Sequence, residues 1–281
     1  MRAALLENGK IVTAKGYNEQ IHGTRLYCID CKAPVFYNRG SDKHDIVPHF
    51  KTSGKGESVH SSTCGFYRKL TFKETIEKIS EYQKILQQNH LPEIVVKLNL
   101  NRIDPDYVPR SIERDIENNN KKERENVEVK IKQEHETPST ISSLRSIKKL
   151  FNDYDADVLA SIVLNVNGRK VVISELIRHY KDAHWALWNG EINPKIPYFV
   201  HGVIDKIIRR EKVWFINFEN VDNCYFSLVV FEKYFKHFTY RDEDLLNKEI
   251  LAVGYIRKNE FNKEIQATEM LIKSNKYIEF L

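Results

Sequence analysis

The sequence contains no long apolar run, and this absence excludes one class of protein at once. No stretch approaches the ~18 consecutive apolar residues that a membrane-spanning helix needs. The first residues offer only the run AALL before the chain turns polar, which is too short for the hydrophobic core of a secretory signal. We therefore expect a cytoplasmic protein without a membrane partner. In that reducing compartment its cysteines should be free thiols or metal ligands rather than disulfides.

The common catalytic motifs are missing as well. The 281 residues contain no phosphate-binding GxxxxGK[ST] or GxGxxG loop, no GxSxG nucleophile elbow and no HExxH zinc-protease motif. There are no internal repeats and no coiled-coil heptads either. These absences favour a binding protein, and we expect no enzymatic activity.

The charge balance is compatible with a polyanionic partner. Charged residues make up 30% of the chain and the formal net charge is +5. A mildly basic chain can bind nucleic acid, but the charge alone does not demonstrate such binding.

Composition divides the chain into four segments. Between Asp104 and Thr140 the sequence is dense in charge, asparagine and proline, and it has too few large apolar groups to offset its chain entropy. We expect an α+β, multidomain fold with a zinc-ribbon-like domain that includes a helix at 1–102 and a charged flexible linker at 103–140. A small α/β segment should follow at 141–195, and a five-stranded OB-fold β-barrel at 196–281.

Local signals predict individual elements. Apolar residues at helical spacing follow Thr71 and Glu74, which have the spacing of a capping box. The sequence VNGR between two β-branched runs is typical of a β-hairpin. The stretch SELIRHYKDAHWALW is predicted to be one helix capped by Ser174.

Three of the four cysteines lie within forty residues of one another. Cys28 and Cys31 form a CxxC pair, and His49 and Cys64 follow after gaps that suit a zinc ribbon. His60 is the alternative histidine, and His44 is a weaker one. Four N/S ligands close a tetrahedral zinc shell, so we expect structural Zn²⁺ rather than a catalytic ion.

The order ENGKIVTA, YCIDCKAPVFYNRG, VPHFK and a later cysteine resembles the N-terminal zinc-finger region of competence protein CoiA-like proteins. The resemblance covers about the first seventy residues. It implies a zinc finger in a protein that handles DNA, and in the family this finger precedes a nuclease-like domain. The sequence HFKT departs from the common HFxH, which leaves both His49 and His60 open as the ligand.

The last segment predicts five strands, with a helix between the third and fourth. This is the order of an OB-fold barrel, in which single strands bind across strands two and three. The runs HGVI, VWFINFEN, YFSLVVF, EILAVGYI and EIQATEM also resemble the OB domains of single-strand-binding and exonuclease VII-type proteins. Alternation along the second and third strands assigns Trp214, Ile216, Phe218 and Phe226 to the core.

The same alternation leaves Phe215 and Tyr225 on the exposed face, with Asn217 beside them. Aromatic rings can stack on bases, and cations in the flanking hairpins can contact phosphates. The candidate cations are Lys206, Arg209, Arg210, Lys212, Arg257, Lys258 and Lys263.

These observations predict a non-enzymatic nucleic-acid-binding protein whose preferred partner is single-stranded DNA, with RNA as an alternative. The pathway implied is DNA uptake or a mobile-element or phage-related process. A nuclease or nuclease accessory subunit is the first alternative, and its only candidate window surrounds Asp205 and lacks the lysine of a PD-(D/E)xK site. A protein-interaction adaptor is the second alternative.

Overall fold

The computed structural model describes residues 1–41, 43, 46–89, 93–108, 140–259 and 265–281. Its elements form a mixed α+β fold with three sheets, the last of which curls into a half-barrel. Within these ranges, the helices are all too short or too polar to cross a membrane.

The first sheet is antiparallel throughout and carries the cysteine-rich segment in its loops. Its strands are β1 (Ala3–Leu6), β2 (Ile11–Thr13), β3 (Leu26–Tyr27), β4 (Pro34–Asn38) and β5 (His49–Lys51), in the spatial order β2-β1-β3-β4-β5. A short helix, α1 (Glu19–His22), lies between β2 and β3. The strands are short because turns and loops interrupt them every few residues.

Helix α2 (Phe72–Gln88) begins where the sequence predicts it. The Thr71 side chain accepts from the Glu74 backbone N–H, and the Glu74 carboxylate accepts from the Thr71 N–H. This capping box satisfies backbone donors that the first turn cannot satisfy itself. The buried face of the helix, which includes Ile79, Tyr82 and Leu86, points into the main core.

A second sheet of four strands forms the middle of the molecule. Its strands are β6 (Ile94–Leu98), β7 (Thr140–Ile141), β8 (Ile162–Val166) and β9 (Arg169–Val172), in the order β7-β6-β8-β9. Helices α3 (Leu144–Asp153) and α4 (Ala156–Ala160) connect β7 to β8. The predicted hairpin is confirmed, because Asn167 and Gly168 both adopt positive φ angles between β8 and β9.

The single helix predicted from Ser174 onward is wrong. The structure divides it into α5 (Ile173–Leu176), strand β10 (Ile177–His179) and α6 (Tyr180–Trp188). Strand β10 pairs in parallel with the first barrel strand, and that pairing overrides the local helical preference. The Ser174 hydroxyl donates to Gln83 on α2 instead of capping a long helix.

The half-barrel contains the five predicted strands. They are β11 (Tyr198–Arg209), β12 (Val213–Phe218), β13 (Tyr225–Phe231), a fourth strand divided into β14 (Glu249–Gly254) and β15 (Ile256–Asn259), and β16 (Ala267–Leu271). Strand β11 pairs with both β12 and β14, whereas β13 pairs in parallel with β16. This is an OB-like connectivity. A further strand, β17 (Ile278–Phe280), pairs with β14.

The helix predicted between the third and fourth strands is shorter than expected. The segment forms a 3₁₀ helix at Glu232–His237 and one turn, α7 (Asp242–Leu245). Its aromatic side chains contact different parts of the half-barrel. Phe235 stacks on Trp214 of β12, and Tyr240 contacts Phe280 of β17. Two further 3₁₀ turns lie at Asn101–Ile103 and Asn275–Tyr277.

One continuous core joins α2, the middle sheet and the half-barrel. A second, smaller apolar cluster fills the first sheet around Cys28 and Cys64. At the start of the predicted linker, Ile103 is buried and Asp104 accepts from Lys273. Residues 109–139 of that segment lie outside the described residues. The proposed domain boundaries stay a prediction.

Candidate metal centre and nucleic-acid interface

Four side chains converge on one point at the end of the first sheet. The ligand atoms of Cys28, Cys31, His60 and Cys64 all lie within 4.8 Å of one another. The Cys28 and Cys64 Sγ atoms are 3.7 Å apart, and His60 Nδ1 is 3.4 Å from the Sγ atoms of both Cys31 and Cys64. Cys28 and Cys64 are buried, whereas Cys31 and His60 are half-buried.

These separations fit a tetrahedral zinc ion. With Zn–S bonds of about 2.3 Å and Zn–N bonds of about 2.0–2.1 Å, sulfur atoms lie about 3.8 Å apart and a sulfur and a nitrogen about 3.6 Å apart. The observed contacts are within a few tenths of an ångström of these values. The set of three sulfurs and one nitrogen is therefore close enough together to bind Zn²⁺.

The local sequence explains why the sulfurs meet. Cys28 follows β3, and its N–H donates to the Ala33 carbonyl while its carbonyl accepts from Lys32. Lys32 has a φ of 60°, which lets the chain reverse within the CxxC turn. Cys64 and His60 come from the long loop between β5 and α2, four residues apart.

Of the two histidines that the sequence leaves open, His60 belongs to the cluster. His49, the ligand placed first by the sequence, lies on β5 opposite Asn38, and its Nδ1 contacts the Val47 carbonyl at 2.9 Å. The pairing of β5 with β4 holds His49 in the sheet, so the later loop supplies the fourth ligand. His44 lies outside the described residues.

The ligand side chains of the cluster differ in the direction of their pKa shifts. Sharing a hydrogen bond with Cys64 lowers the pKa of the Cys28 thiol, and the same contact together with burial raises the pKa of Cys64. Burial lowers the pKa of His60, which favours the neutral imidazole that binds metals. Zinc binding requires the thiols to lose their protons, which the lowered pKa of Cys28 favours and the raised pKa of Cys64 opposes.

Asp30, the residue inside the CxxC turn, ties the cluster to helix α2. Its Oδ2 accepts from the Gly65 N–H and from the Tyr82 hydroxyl, both at 2.7 Å, and Lys78 donates to Oδ1 at 3.3 Å. Burial opposes ionisation of this carboxyl, but the hydrogen bonds from Gly65, Tyr82 and Lys78 outweigh burial and lower its pKa. Asp30 thereby fixes the loop that carries Cys64 relative to the CxxC turn.

The second candidate site is the solvent side of the half-barrel. Ile216 and Phe218 on β12, and Phe226 and Leu228 on β13, are buried as the alternation predicts. The residues between them lie on the opposite side of the sheet, which we call the outer face; Val229 in this series is buried. The outer face is formed by Phe215, Asn217, Tyr225, Ser227 and Phe231.

Aromatic rings and hydrogen-bonding groups alternate on the outer face. Phe215 lies opposite Val229 and is diagonal to Phe231, while Asn217 lies opposite Ser227. The Ser227 hydroxyl donates to Asn217 Oδ1 at 2.8 Å, which leaves the Asn217 amide nitrogen as a donor for a ligand. Tyr225 is 38% exposed and Phe231 is 37% exposed. Rings of this kind are able to stack on bases.

Guanidinium groups lie close to two of these rings. The Arg210 guanidinium is 5.7 Å from the centre of the Phe215 ring, and the Arg257 guanidinium is 5.8 Å from that of Phe231. Each pair combines an aromatic surface with positive charge, as single-strand binding sites do. Arg257 is partly neutralised by Glu269 at 3.0 Å, whereas Arg210 has no ion-pair partner among the described residues.

Not all the predicted cations point to the outer face. Arg209 instead donates to Asp242 at 2.7 Å and covers the Trp214 ring at 4.1 Å, so its charge is held on the other side of the sheet. Lys258 lies over the Trp188 ring at 4.6 Å. Lys206 and Lys212 are exposed, and Lys263 lies outside the described residues.

The sequence did not predict the partial exposure of Trp214 or the position of Phe231 on the outer face. Trp214 faces inward as predicted but is only half-buried, because it stacks on Phe235 at the open end of the half-barrel. Phe231 was not singled out, although it continues the odd-numbered series of Tyr225 and Ser227. Extending the alternation by one residue would have found it.

No protein-family model matches the chain, and no curated protein matches it either. The resemblance to CoiA-like proteins therefore has no support from a family comparison. Among solved structures, a chain of the S. pombe Stn1-Ten1 complex is similar, with a TM-score of 0.24 and 16% identity over 30% of this chain and 57% of that one. Two other structures are similar to the same degree. They are the OBody AM3L09 bound to hen egg-white lysozyme (TM-score 0.24, 11% identity, 34% of this chain and 92% of that one) and the aspartyl tRNA synthetase from Entamoeba histolytica (TM-score 0.22, 11% identity, 30% and 18%). All three TM-scores are below 0.5, so we infer nothing about this chain from these proteins.

Proposed function

We propose that the chain binds single-stranded nucleic acid, with DNA preferred, across the outer face of its half-barrel. The observation that carries this proposal is the pairing of aromatic rings on the outer face, the half-buried Phe215 and the exposed Phe231, with the guanidinium groups of Arg210 and Arg257. Bases of a single strand stack on Phe215, Tyr225 and Phe231, and each such contact contributes about 1–3 kcal/mol. Because every base has an aromatic surface, this mode of binding depends little on sequence.

The cations beside the face act on the phosphates. Lys206, Arg210 and Lys212 are exposed at the first strand and the first hairpin, and none has an ion-pair partner among the described residues. Each cation that neutralises a phosphate releases counterions, so the binding weakens as salt rises.

The metal centre has a structural role in this proposal. Cys28, Cys31, His60 and Cys64 supply the four ligands of a tetrahedral zinc ion, which leaves no position for a substrate. Bound zinc joins the β3–β4 turn to the loop before α2 and stabilises a sheet whose own apolar cluster is small. A place in DNA uptake or in a mobile-element process is part of the proposal and rests on the sequence resemblance.

The proposal includes no catalytic step. Asp205, the acid in the only nuclease-like window, is the extra residue of a β-bulge between Ile204 and Lys206 on β11. The bulge lets the long first strand bend between its pairing with β14 and its pairing with β12.

The test is a titration of labelled single- and double-stranded oligonucleotides at two salt concentrations. We expect tighter binding to single strands, weaker binding at high salt, and a loss of at least tenfold in the Phe215→Ala/Tyr225→Ala double variant. The control is Trp185→Ala, which removes a ring of similar exposure (41%) from helix α6.

Three outcomes would contradict the proposal, and each affects a different part of it. Unchanged affinity in the double variant would remove the outer face as the site. Failure of the wild type to bind any oligonucleotide would overturn the function and favour a protein-interaction adaptor. Manganese-dependent cleavage that disappears in Asp205→Ala would establish the nuclease alternative.

A further inference from the structure

A groove lined by both polar and apolar residues lies between the middle sheet and the half-barrel, next to the outer face. Its volume is about 820 Å³. Lys97 and Asn99 come from β6 and the residues after it, and Asn167 from the tip of the β8–β9 hairpin. The half-barrel contributes Tyr255 and Arg257 on the opposite wall.

Tyr255 is exposed because the fourth barrel strand breaks at that point. It stands alone between β14 and β15 and is 51% exposed. Gly254 before it is buried, and a Cβ there would lie 2.6 Å from Met270 Cγ and 3.2 Å from the Leu271 carbonyl oxygen. The close approach of β16 requires glycine at 254, and the ring of the next residue lines the groove.

The strand pairings connect the groove to the outer face. Leu271 lines the groove and pairs with Val229, which lies opposite Phe215. In the next row, Arg257 pairs with Glu269, and Glu269 with Ser227. Neighbouring strands are about 4.7–4.9 Å apart, so a ligand crosses only about 14 Å from β12 to β15.

The middle-sheet wall offers hydrogen-bond donors. Asn99 Oδ1 accepts from the Asn101 N–H, and Asn165 Oδ1 accepts from the Gly168 N–H. Both side chains thus use their carbonyl oxygens within their own loops, and their amide nitrogens are left as donors. Donors of this type suit phosphate oxygens and base carbonyls.

The charge in the groove is positive. Lys97 is exposed and has no ion-pair partner among the described residues. Asp104, the one carboxylate in the lining, is neutralised by Lys273 at 2.8 Å. Glu269 at the rim accepts from Arg257 and from Asn259, so it presents little free negative charge.

We propose that a single strand bound on the outer face continues over β16 into this groove, where a base stacks on Tyr255 and Lys97 contacts a phosphate. The middle α/β segment then forms the second wall of the binding site. This inference rests on the proposed function and extends its site from the half-barrel alone to two elements of the fold.

The experiment measures affinity against oligothymidylate length from about 4 to about 16 nucleotides, the range of site sizes for OB folds. We expect Tyr255→Ala to lower affinity about tenfold for the longer oligomers and to leave the shortest binding oligomer unaffected. Tyr255→Phe keeps the ring and should bind as the wild type does. Lys97→Gln should reduce the slope of log affinity against log salt by about 0.7.

The controls are Trp185→Ala for the loss of an exposed ring and Lys84→Gln for the loss of an exposed charge on α2. If Tyr255→Ala and Lys97→Gln bind every length as the wild type does, the groove is no part of the site, and the proposed function still stands on Phe215 and Tyr225. If the wild type binds no oligomer at all, the proposed function itself fails.

Discussion

Asp30 shows how one side chain can organise a metal site without being a ligand. Its carboxylate receives hydrogen bonds from the loop after Cys64 and from Tyr82 and Lys78 on α2. Gly65 is required at that contact, because a Cβ there would lie 2.4 Å from the Tyr82 hydroxyl. The ligand loop is thereby held against the helix, which limits how far Cys64 moves when the metal leaves.

The identity of the fourth ligand can be tested by substitution. We expect His60→Ala to lose most of its zinc, because its imidazole lies 3.4 Å from two sulfurs, and His49→Ala to keep about one zinc per chain. Metal analysis of protein purified without chelator measures both. Full zinc content in His60→Ala together with its loss in His49→Ala would return the ligand to the position that the sequence favours.

The sequence predicted the three cysteines of the cluster and left the histidine open between His49 and His60. Spacing suffices for Cys28 and Cys31, since a CxxC turn directs both sulfurs to one side. It could not separate His49 from His60, because the choice depends on the pairing of β5 with β4 and on the course of the following loop. Likewise, alternation predicts an exposed face with Phe215 and Tyr225, of which Tyr225 is exposed and Phe215 half-buried. The diversion of Arg209 to Asp242 depends on α7, and no local pattern shows it.

At the scale of elements, the sequence predicted helices and strands best where their formation depends on residues close by in the sequence. Helix α2 has its own capping box, and the β8–β9 hairpin has its own Asn-Gly turn. The failure at residues 174–188 has the opposite cause, because β10 forms through its pairing with β11, about twenty residues later. Contacts of that kind cannot be read from a short window of sequence.

His201 on strand β11 should make stability depend on pH. Burial, together with the neighbouring His179 and Lys73, lowers its pKa to about 4, although Glu249 lies 3.7 Å away. Between the unfolded value near 6.5 and about 4, the unfolded chain binds a proton that the folded chain does not. The free energy of unfolding should therefore fall by about 3 kcal/mol from this group as pH drops through that window.

Chemical denaturation at pH 7, 5.5 and 4.5 measures this effect. Other buried groups titrate in the same range, so the readout is the difference between the wild type and His201→Gln, in which the dependence should be flatter. Parallel pH profiles for the two proteins would mean that His201 does not carry the effect.

At the scale of the whole molecule, the chain has two unequal apolar clusters. The main core joins α2, the middle sheet and the half-barrel, and the smaller one fills the first sheet around Cys28 and Cys64. Composition predicts four segments, and that division stays a prediction. It shows neither the two clusters nor the groove between the middle sheet and the half-barrel, because both arise from packing between distant parts of the chain.

Removal of the metal should affect the two clusters differently. The small cluster contains two of the ligands themselves, so chelation should strongly reduce hydrogen-exchange protection in β1 to β5. The strands β11 to β16, whose core is independent of the cysteines, should keep their protection. Equal loss in both regions would show that zinc stabilises the whole fold rather than its first sheet.

The place of β17 has a consequence for how the chain folds during synthesis. Helix α3 contacts β17, and Lys148 donates to the Phe280 carbonyl across 132 residues. At about 5–20 residues per second, a ribosome needs roughly 7 to 26 s to make that partner after α3 has emerged. For that interval the side of α3 that later meets β17 is uncovered and accessible to other chains.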